Sequence, residues 1–424
     1  MRPISSLANF AALRSLKNRN YRLFFIGQGT SLVGTWMQQI AMSWLVYRMT
    51  GSALLLGVTA FSGRIPSFLL APFAGVLADR VNRRRLLVVT QSLSMLQAFC
   101  VAALVLMRAI TIWEIIMLSA LIGCINAFDI PTRQAFVVEM VEKKEDLGNA
   151  IALNSSLVNA ARLVGPSIAG ILIAAVGEGV CFLINGISFM AVIAALLAMK
   201  TSGPAMRARA KNGFLRELGE GFSYAFGFSP IRSILLLLAL MSLMGMPYQV
   251  LMPIFAGGLL QGGPHTLGFL MGASGFGALT GAAFLASRKG TPRLGAITPV
   301  SAALFGAGLM AFSGSRLLWL SLPLMAVTGF GMMVQIASSN MVLQSIVDDR
   351  KRGRVMSLFA MAFMGMLPFG SLMEGALANR IGAPLTLFAC GLCCLLGAIP
   401  FSIRLPALKK ELAPVYERNN GALP

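Results

Sequence analysis

Apolar residues in this chain come in long runs, separated by short polar and basic stretches. Twelve runs can be marked, at 22–47, 53–78, 86–107, 112–131, 149–175, 179–199, 231–256, 266–287, 294–312, 317–341, 355–379 and 382–404. As a helix rising about 1.5 Å per residue, each is long enough to cross a hydrocarbon layer about 30 Å thick. The pattern predicts an all-α membrane protein with twelve transmembrane helices.

The cations orient these helices. If the gaps between runs are numbered, both termini are counted with the even gaps, and Arg22, Arg232 and Arg404 at the edges of their runs are counted with the gaps they adjoin, that set holds 29 of the 35 Lys and Arg. The odd gaps hold Arg48, Arg108, Arg316 and Arg380, and two arginines, Arg64 and Arg162, lie inside runs. Loops rich in Lys and Arg stay in the cytoplasm, so both termini are expected there. Three of the four tryptophans, Trp44, Trp113 and Trp319, fall at the opposite ends of their runs, as an aromatic belt would. The net charge of +20 would suggest nucleic acid in a soluble chain. Here the cations flank helices and face anionic headgroups, so membrane lipids, not nucleic acid, are the expected partner. Residues 1–20 are polar and basic, and the first run is too long for a signal-peptide core, so no cleavable signal is expected.

Little in the composition suggests an enzyme. The six cysteines (Cys100, Cys124, Cys181, Cys390, Cys393 and Cys394) sit within apolar runs without nearby His or carboxylate, which favours packing over metal binding. The single histidine, His265, lies in an expected outer loop, and no hydrolase or phosphate-loop motif is present. No metal or cofactor is expected.

The chain repeats itself. At an offset of 208 the pairs Leu77/Leu285, Ala78/Ala286, Arg80/Arg288, Arg85/Arg293 and Leu86/Leu294 are identical. At an offset of 205, Gly148/Gly353, Leu153/Leu358, Gly165/Gly370 and Gly170/Gly375 coincide. Both echoes join equivalent runs of two six-helix halves. Parallel halves of this kind are a transporter architecture with substrate held between them. The expected organisation is a cytoplasmic segment 1–20, a six-helix bundle 21–199, a basic linker 200–230, a second bundle 231–404 and a tail 405–424. Within the linker, 213–227 has apolar residues near helical spacing and is expected to lie along the membrane surface.

Several residues are costly or unusual for a lipid-spanning helix. Arg64 and Arg162 sit deep in the second and fifth runs, and Glu374 is the acid well inside a run of the second half. Glu374 is expected to pair with one of the two arginines, either as a permanent structural ion pair or in one state only, exchanging that bond for a proton in another. Gln28, Ser31, Thr35 and Gln38 trace one face of the first run, with Trp36 and Gln39 beside it, which suggests a cavity lining. Tyr248 and Gln249 are the matching candidates in the seventh run. Gly165-Pro166 is expected to kink the fifth helix, and Ala161, Gly165 and Ala169 offer a small-residue seam to the eighth. Asp79, at the inner end of the second run, is placed to face the start of the eleventh.

Gly75-x-Leu-Ala-Asp79-Arg80-x-x-Arg83-Arg84 resembles the loop 2–3 signature of the major facilitator superfamily. Gly165-Pro166-Ser-Ile-Ala-Gly170 resembles the motif of its antiporter branches. Gly34-Thr-Trp-Met-Gln-Gln-Ile, Asp129-x-Pro131-x-Arg-Gln134 and Asn159-x-x-Arg162-x-x-Gly165-Pro166 are similar to the bacterial group of enterobactin exporters and macrolide efflux proteins. The resemblance covers about 15–400. It implies the major facilitator fold, with two pseudo-symmetric bundles, in a bacterial inner membrane, and a monomer. It further implies that Asp79 and the following arginines form a cytoplasmic gate, with Asp129 relaying charge to Arg80 or Arg83. The family's helix 4 arginine has no counterpart here, and the second copy of the loop has Ser287 in place of Asp79. Proton coupling would then rest on Asp129 and Glu374. The function expected is proton-coupled export of amphiphilic small molecules such as drug-like compounds, macrolides or siderophores. A lipid or lysolipid transporter and a non-transporting membrane scaffold are the alternatives.

Overall fold

The computed structural model describes residues 11–141, 144–199, 214–288, 294–348 and 351–420, which are helical nearly throughout. The first half comprises α1 (Arg19–Thr50), α2 (Ala53–Arg80), α3 (Arg83–Leu106), α4 (Ile112–Met140), α5 (Lys144–Val176) and α6 (Glu178–Ala198). A linker helix, α7 (Phe214–Gly227), follows. The seventh run is broken into α8 (Ser229–Met244), a 3-10 turn at Met246–Val250, α9 (Met252–Ile254) and a π turn at Phe255–Leu259. Next come α10 (Pro264–Ala286), α11 (Leu294–Ser313) and α12 (Leu318–Ile346). The eleventh run is α13 (Arg352–Ala360) and α14 (Met366–Ile381), joined through a π turn at Met361–Gly365, and α15 (Ala383–Asn420) is last. Among the described residues, eleven helical stretches are long and apolar enough to cross a membrane. The remaining run is α1, whose 32 residues suffice in length but carry a string of Gln, Ser and Thr. The protein is a multi-pass, all-α membrane protein.

Several helices outrun their apolar stretches. The fourth run ends at 131 but α4 continues to Met140, and α15 continues to Asn420 through what the sequence suggested was a tail. Hydropathy marks the length that lipid requires. Once a helix is nucleated, adding a polar residue costs little, so the helix extends into water. Asp129 therefore lies eleven residues, about 17 Å, before the end of α4.

Contacts divide the chain into two compact units. One holds 1–51, 62–208 and 262–272; the other holds 52–61, 209–261 and 273–424. The two short exchanged pieces, 52–61 and 262–272, stand at about the repeat offset, so the internal symmetry extends to the exchange itself. The turns obey it too. Gly177 between α5 and α6 has φ +84° and Gly382 between α14 and α15 has φ +85°, each with extended ψ, a region open essentially to glycine alone. They are 205 residues apart.

In the first unit the core at the basic end gathers Tyr21, Phe24, Leu87, Phe136, Met140 and Leu196 from α1, α3, α4 and α6. A 3-10 helix, Ala11–Lys17, docks on α5: the Ser15 hydroxyl contacts the Asp146 carbonyl at 2.8 Å and Asn149 Oδ1 at 2.7 Å, and Arg14 pairs with Asp146. The Tyr21 hydroxyl donates to the Ala150 carbonyl at 2.7 Å, both groups being buried. What read as a plain terminal segment is thus partly a packed element. Tyr21→Phe is expected to cost about 1 kcal/mol, seen as a lower thermal midpoint of the detergent-purified protein. An unchanged midpoint would show that this bond does not hold α1 to α5.

In the second unit α11 packs between α12 and α15, and α8 lies against α14 and α15. The linker helix α7 rests on α8 and α13. Residues 200–213 of the expected linker lie outside the described residues.

Candidate functional site

The loop 2–3 motif works first as a set of helix caps. Asn82 caps α3, its Oδ1 accepting from the Arg85 backbone N–H at 3.1 Å. Arg83 donates to the Ala78 carbonyl at the end of α2 and reaches Glu139 of α4 at 2.5 Å. Arg84 donates through Nε and Nη2 to the carbonyls of Leu196 and Leu197, at 2.6 and 2.7 Å. These are the last carbonyls of α6, which have no partner within their own helix, and the cation faces the negative end of the helix dipole. Arg80 is exposed, and a Cβ on Gly75 would meet open space. The Asp79 backbone is helical, and its side chain lies outside the described residues.

Asp129 is 3% exposed. Its Oδ1 accepts from the Thr90 hydroxyl at 2.9 Å and from Gln91 Nε2 at 2.7 Å, and its Oδ2 lies 3.4 Å from Arg133 Nε. Where the sequence suggested Arg80 or Arg83 as the partner, the structure places Arg133 one turn along α4, with Pro131 between, and gives Arg83 to Glu139. Two hydrogen-bond donors and a guanidinium converge on a carboxylate and tie α3 to α4. In the second half Thr298 donates to Ser338 Oγ at 2.9 Å, 208 and 209 positions on from Thr90 and Asp129. That half repeats the hydroxyl and lacks the charge.

The polar face of α1 splits in two. Gln28, Ser31 and Gln38 are buried against their own bundle, whereas Thr35 and Gln39 are exposed and Trp36 is half-buried. Gln38 belongs to a relay of amides: Asn185 Nδ2 donates to Gln38 Oε1 at 2.7 Å, Gln38 Nε2 to Gln97 Oε1 at 3.0 Å, and Gln97 Nε2 to the Leu118 carbonyl at 3.2 Å. This joins α1, α3, α4 and α6, so Gln38 serves packing rather than a cavity wall. Arg162 lies over the Trp36 ring, 5.7 Å from its centroid. Gly165 makes room for that tryptophan, since a Cβ there would sit 2.6 Å from the Trp36 Cβ.

Two helix crossings are so close that only glycine fits. A Cβ on Gly170 would lie 2.7 Å from the Pro264 carbonyl oxygen and 2.9 Å from Gly268 Cα, and one on Gly268 would lie 2.6 Å from the Pro166 carbonyl oxygen. A Cβ on Gly57 would lie 2.6 Å from the Ser371 carbonyl oxygen and 2.9 Å from Gly375 Cα, and one on Gly375 would lie 2.7 Å from the Ala53 carbonyl oxygen. The four pairs of equivalents (Gly57 and Gly268, Ala53 and Pro264, Gly170 and Gly375, Pro166 and Ser371) stand at offsets of 211 or 205, within three residues of the repeat offsets 208 and 205. The α5–α10 seam thus runs through Pro166 and Gly170 and not through the expected row Ala161, Gly165 and Ala169, because Gly165 faces Trp36 of α1; it is one of a matched pair.

In the second unit Tyr248 is fully buried, its hydroxyl 2.6 Å from Ser274 Oγ and its ring edge-on to Phe305, while Gln249 is half-buried. Tyr248 is turned inward because the chain leaves helical geometry at Gly245-Met246-Pro247. This break packs against the eleventh run: Ser242 donates its hydroxyl to the Phe363 carbonyl inside the π turn, and Gly370 leaves room for the Leu243 carbonyl and Pro247. Glu374 is fully buried one turn further along, beside the thiols of Cys390 and Cys394.

Residues 9–422 match the family described as transmembrane secretion effector. The chain belongs to this family, a branch of the major facilitator transporters. It is 27% identical to the staphyloferrin A transporter of Staphylococcus aureus over 405 residues, 94% of this chain and 99% of that one. It is 26% identical to the multidrug efflux pump Tap of Mycolicibacterium fortuitum, over 90% of this chain and 94% of that one. It is 22% identical to macrolide efflux protein A of Streptococcus pyogenes, over 86% and 92%. Its fold matches a crystal structure of the peptide transporter POT with a TM-score of 0.73 at 11% identity, covering 92% of this chain and 95% of that one. A bacterial homologue of the human lysosomal transporter Spinster matches with a TM-score of 0.70, also at 11% identity, over 92% and 98%. Family membership makes the protein a membrane transporter rather than an enzyme. Thr90, Gln91, Gln97 and Asn185 escaped the sequence reading, and Arg133 entered it only as part of a motif, because isolated polar residues in apolar runs carry no spacing that says which of them meet. Arg133 was the accessible one: it stands one helical turn from Asp129.

Proposed function

We propose that this chain is an alternating-access exporter of amphiphilic small molecules, driven by the proton gradient across a bacterial cytoplasmic membrane, monomeric and with both termini inside. The matched glycine crossings carry the reading. Each joins a helix of one repeat to a helix of the other by backbone contact without interlocking side chains, a joint that can part and re-form at little cost. Gly75 has room for a side chain in this packing, and on this reading the Asp79–Arg84 segment closes as a gate in a second arrangement.

The named activities of the relatives, siderophore transport and multidrug or macrolide efflux, support a bulky amphiphilic substrate. Thr35, Trp36, Gln39, Arg162 and Gln249 are the lining candidates that the packing leaves accessible or half-accessible. Asp129 and Glu374 are the buried acids on which coupling rests, with Glu374 exchanging between Arg64 or Arg162 and a proton during the cycle.

The test uses an efflux-deficient bacterium expressing the wild type, Asp79→Asn or Glu374→Gln, and follows accumulation of dyes, macrolides and siderophores with and without a protonophore. The wild type is expected to lower accumulation in a protonophore-sensitive way, and neither variant to do so at comparable membrane levels. If Glu374→Gln exports with unchanged pH dependence, its coupling role fails. If wild type and variants accumulate every compound alike, the export reading fails and lipid transport takes its place.

A further inference from the structure

A pocket of about 320 Å³ opens beside the linker helix, lined by Ser223 and Tyr224 of α7 and by Lys351 and Arg354 at the start of α13. The Lys351 ammonium stands 4.0 Å from the centroid of the Tyr224 ring, over its negative face. The ring thereby places one cation at the pocket wall, and Arg354 supplies a second, whose planar fork suits a phosphate. Ser223 is exposed and offers a hydroxyl donor at the rim. On α7, Phe222 is 53% exposed and stacks on Phe226 with centroids 4.1 Å apart, an apolar surface beside the cationic one. Ala225 on the same helix is fully buried, so α7 is anchored and the pocket has a fixed wall.

We propose that this pocket binds the phosphate headgroup of an anionic glycerophospholipid, with the acyl chains running past Phe222 and Phe226. The chemistry favours a lipid over a free anion. Two cations and a hydroxyl line a pocket beside the same helix that carries the exposed Phe222 and the part-buried Phe226, and a soluble phosphate has no use for that apolar surface. A linker helix lying at the headgroup level, with apolar residues toward the acyl chains, has the geometry of an interfacial helix. Bound there, the lipid would bridge α7 to α13 and so tie the linker to the start of the eleventh run. The inference rests on the membrane-surface placement of the linker. It does not need transport, and it does not depend on which side faces the cytoplasm.

The test takes the full-length protein in nanodiscs of phosphatidylcholine with and without phosphatidylglycerol, and counts retained lipids by native mass spectrometry alongside the thermal midpoint. The wild type is expected to retain one phosphatidylglycerol with a raised midpoint. Lys351→Gln/Arg354→Gln is expected to lose both, its affinity falling about 30-fold at roughly a factor of five per cation, while matching the wild type in phosphatidylcholine alone. A control pair at exposed positions of the other half, Lys17→Gln/Arg22→Gln, keeps the retained lipid. Equal retention by wild type and Lys351→Gln/Arg354→Gln overturns the proposal, as does equal loss in the control pair, which would make the attraction one of net charge. Inorganic phosphate raising the wild-type midpoint as far as the lipid does would assign the site to a free anion and overturn the lipid.

Discussion

Gly170→Leu, or Gly268→Leu, is expected to abolish transport while leaving the protein in the membrane. At this crossing a Cβ meets carbonyl oxygens and Cα atoms at 2.6–3.0 Å, and backbone cannot rotate away as a side chain can. The helices must separate. Overpacking of this kind costs about 3 kcal/mol, which lowers the population of the closed seam about 100-fold. A transporter that must form that seam in every cycle loses a similar factor in rate. Gly170→Ala adds the Cβ alone and is expected to fall between. The symmetry makes the prediction sharper, since Gly57→Leu and Gly375→Leu should behave alike, whereas leucine at Gly75, with open space around it here, should leave this packing intact. The readout is dye efflux with membrane levels checked by blot, together with thiol labelling of single cysteines near His265 to report opening of the seam. Wild-type efflux by both Gly170→Leu and Gly57→Leu would remove the crossings from the mechanism.

Asp129→Ala carries the second large effect. It strips a 3%-exposed carboxylate from Arg133, Thr90 and Gln91, and leaves a partly buried guanidinium facing a Gln91 amide without its acceptor, while the Thr90 hydroxyl can still donate to the Leu87 carbonyl at 3.1 Å. Breaking such a pair from one side costs about 3 kcal/mol. Asp129→Asn keeps an oxygen for Thr90 or Gln91 and should cost less. If the penalty comes from the orphaned cation, Asp129→Ala/Arg133→Gln will be more stable than Asp129→Ala alone. Thermal midpoints of the wild type, Asp129→Ala, Arg133→Gln and Asp129→Ala/Arg133→Gln, in one detergent, decide it. Additive losses would mean that the 3.4 Å contact carries no coupling and that Asp129 is held by the hydrogen bonds alone.

The fold class was legible because lipid imposes a requirement that can be read locally: every span must be long and apolar whatever its neighbours are. The repeat was legible for a related reason, since duplicated halves keep residues at fixed offsets. Its physical content was less so. Gly170/Gly375 showed as a coincidence of letters, and the structure makes them equivalent partners of Gly268 and Gly57. Gly177/Gly382, not picked out in the sequence, turn out to share a conformation that other residues rarely adopt.

The first run shows where reading by periodicity stops. Gln28, Thr35 and Gln38 share a helical face, yet Thr35 is exposed while Gln28 and Gln38 are buried, because the neighbours of a helix change along its length. The charged motif behaved likewise. Arg83 and Arg84 were singled out as gate residues, and the partners the structure gives them, Glu139 and the end of α6, lie 56 and more than 110 residues away.

By itself, then, the sequence determined that this is an internally repeated membrane transporter built of helices. Tertiary structure alone decided that Asp129 sits with Arg133, that Gln38 belongs to an amide relay, that the seventh and eleventh runs are broken against each other, and that two glycine pairs touch. The difference is one of range. Hydropathy, helix length and charge bias are sums over neighbouring residues, whereas a hydrogen bond or a backbone crossing depends on which distant residues arrive at the same place.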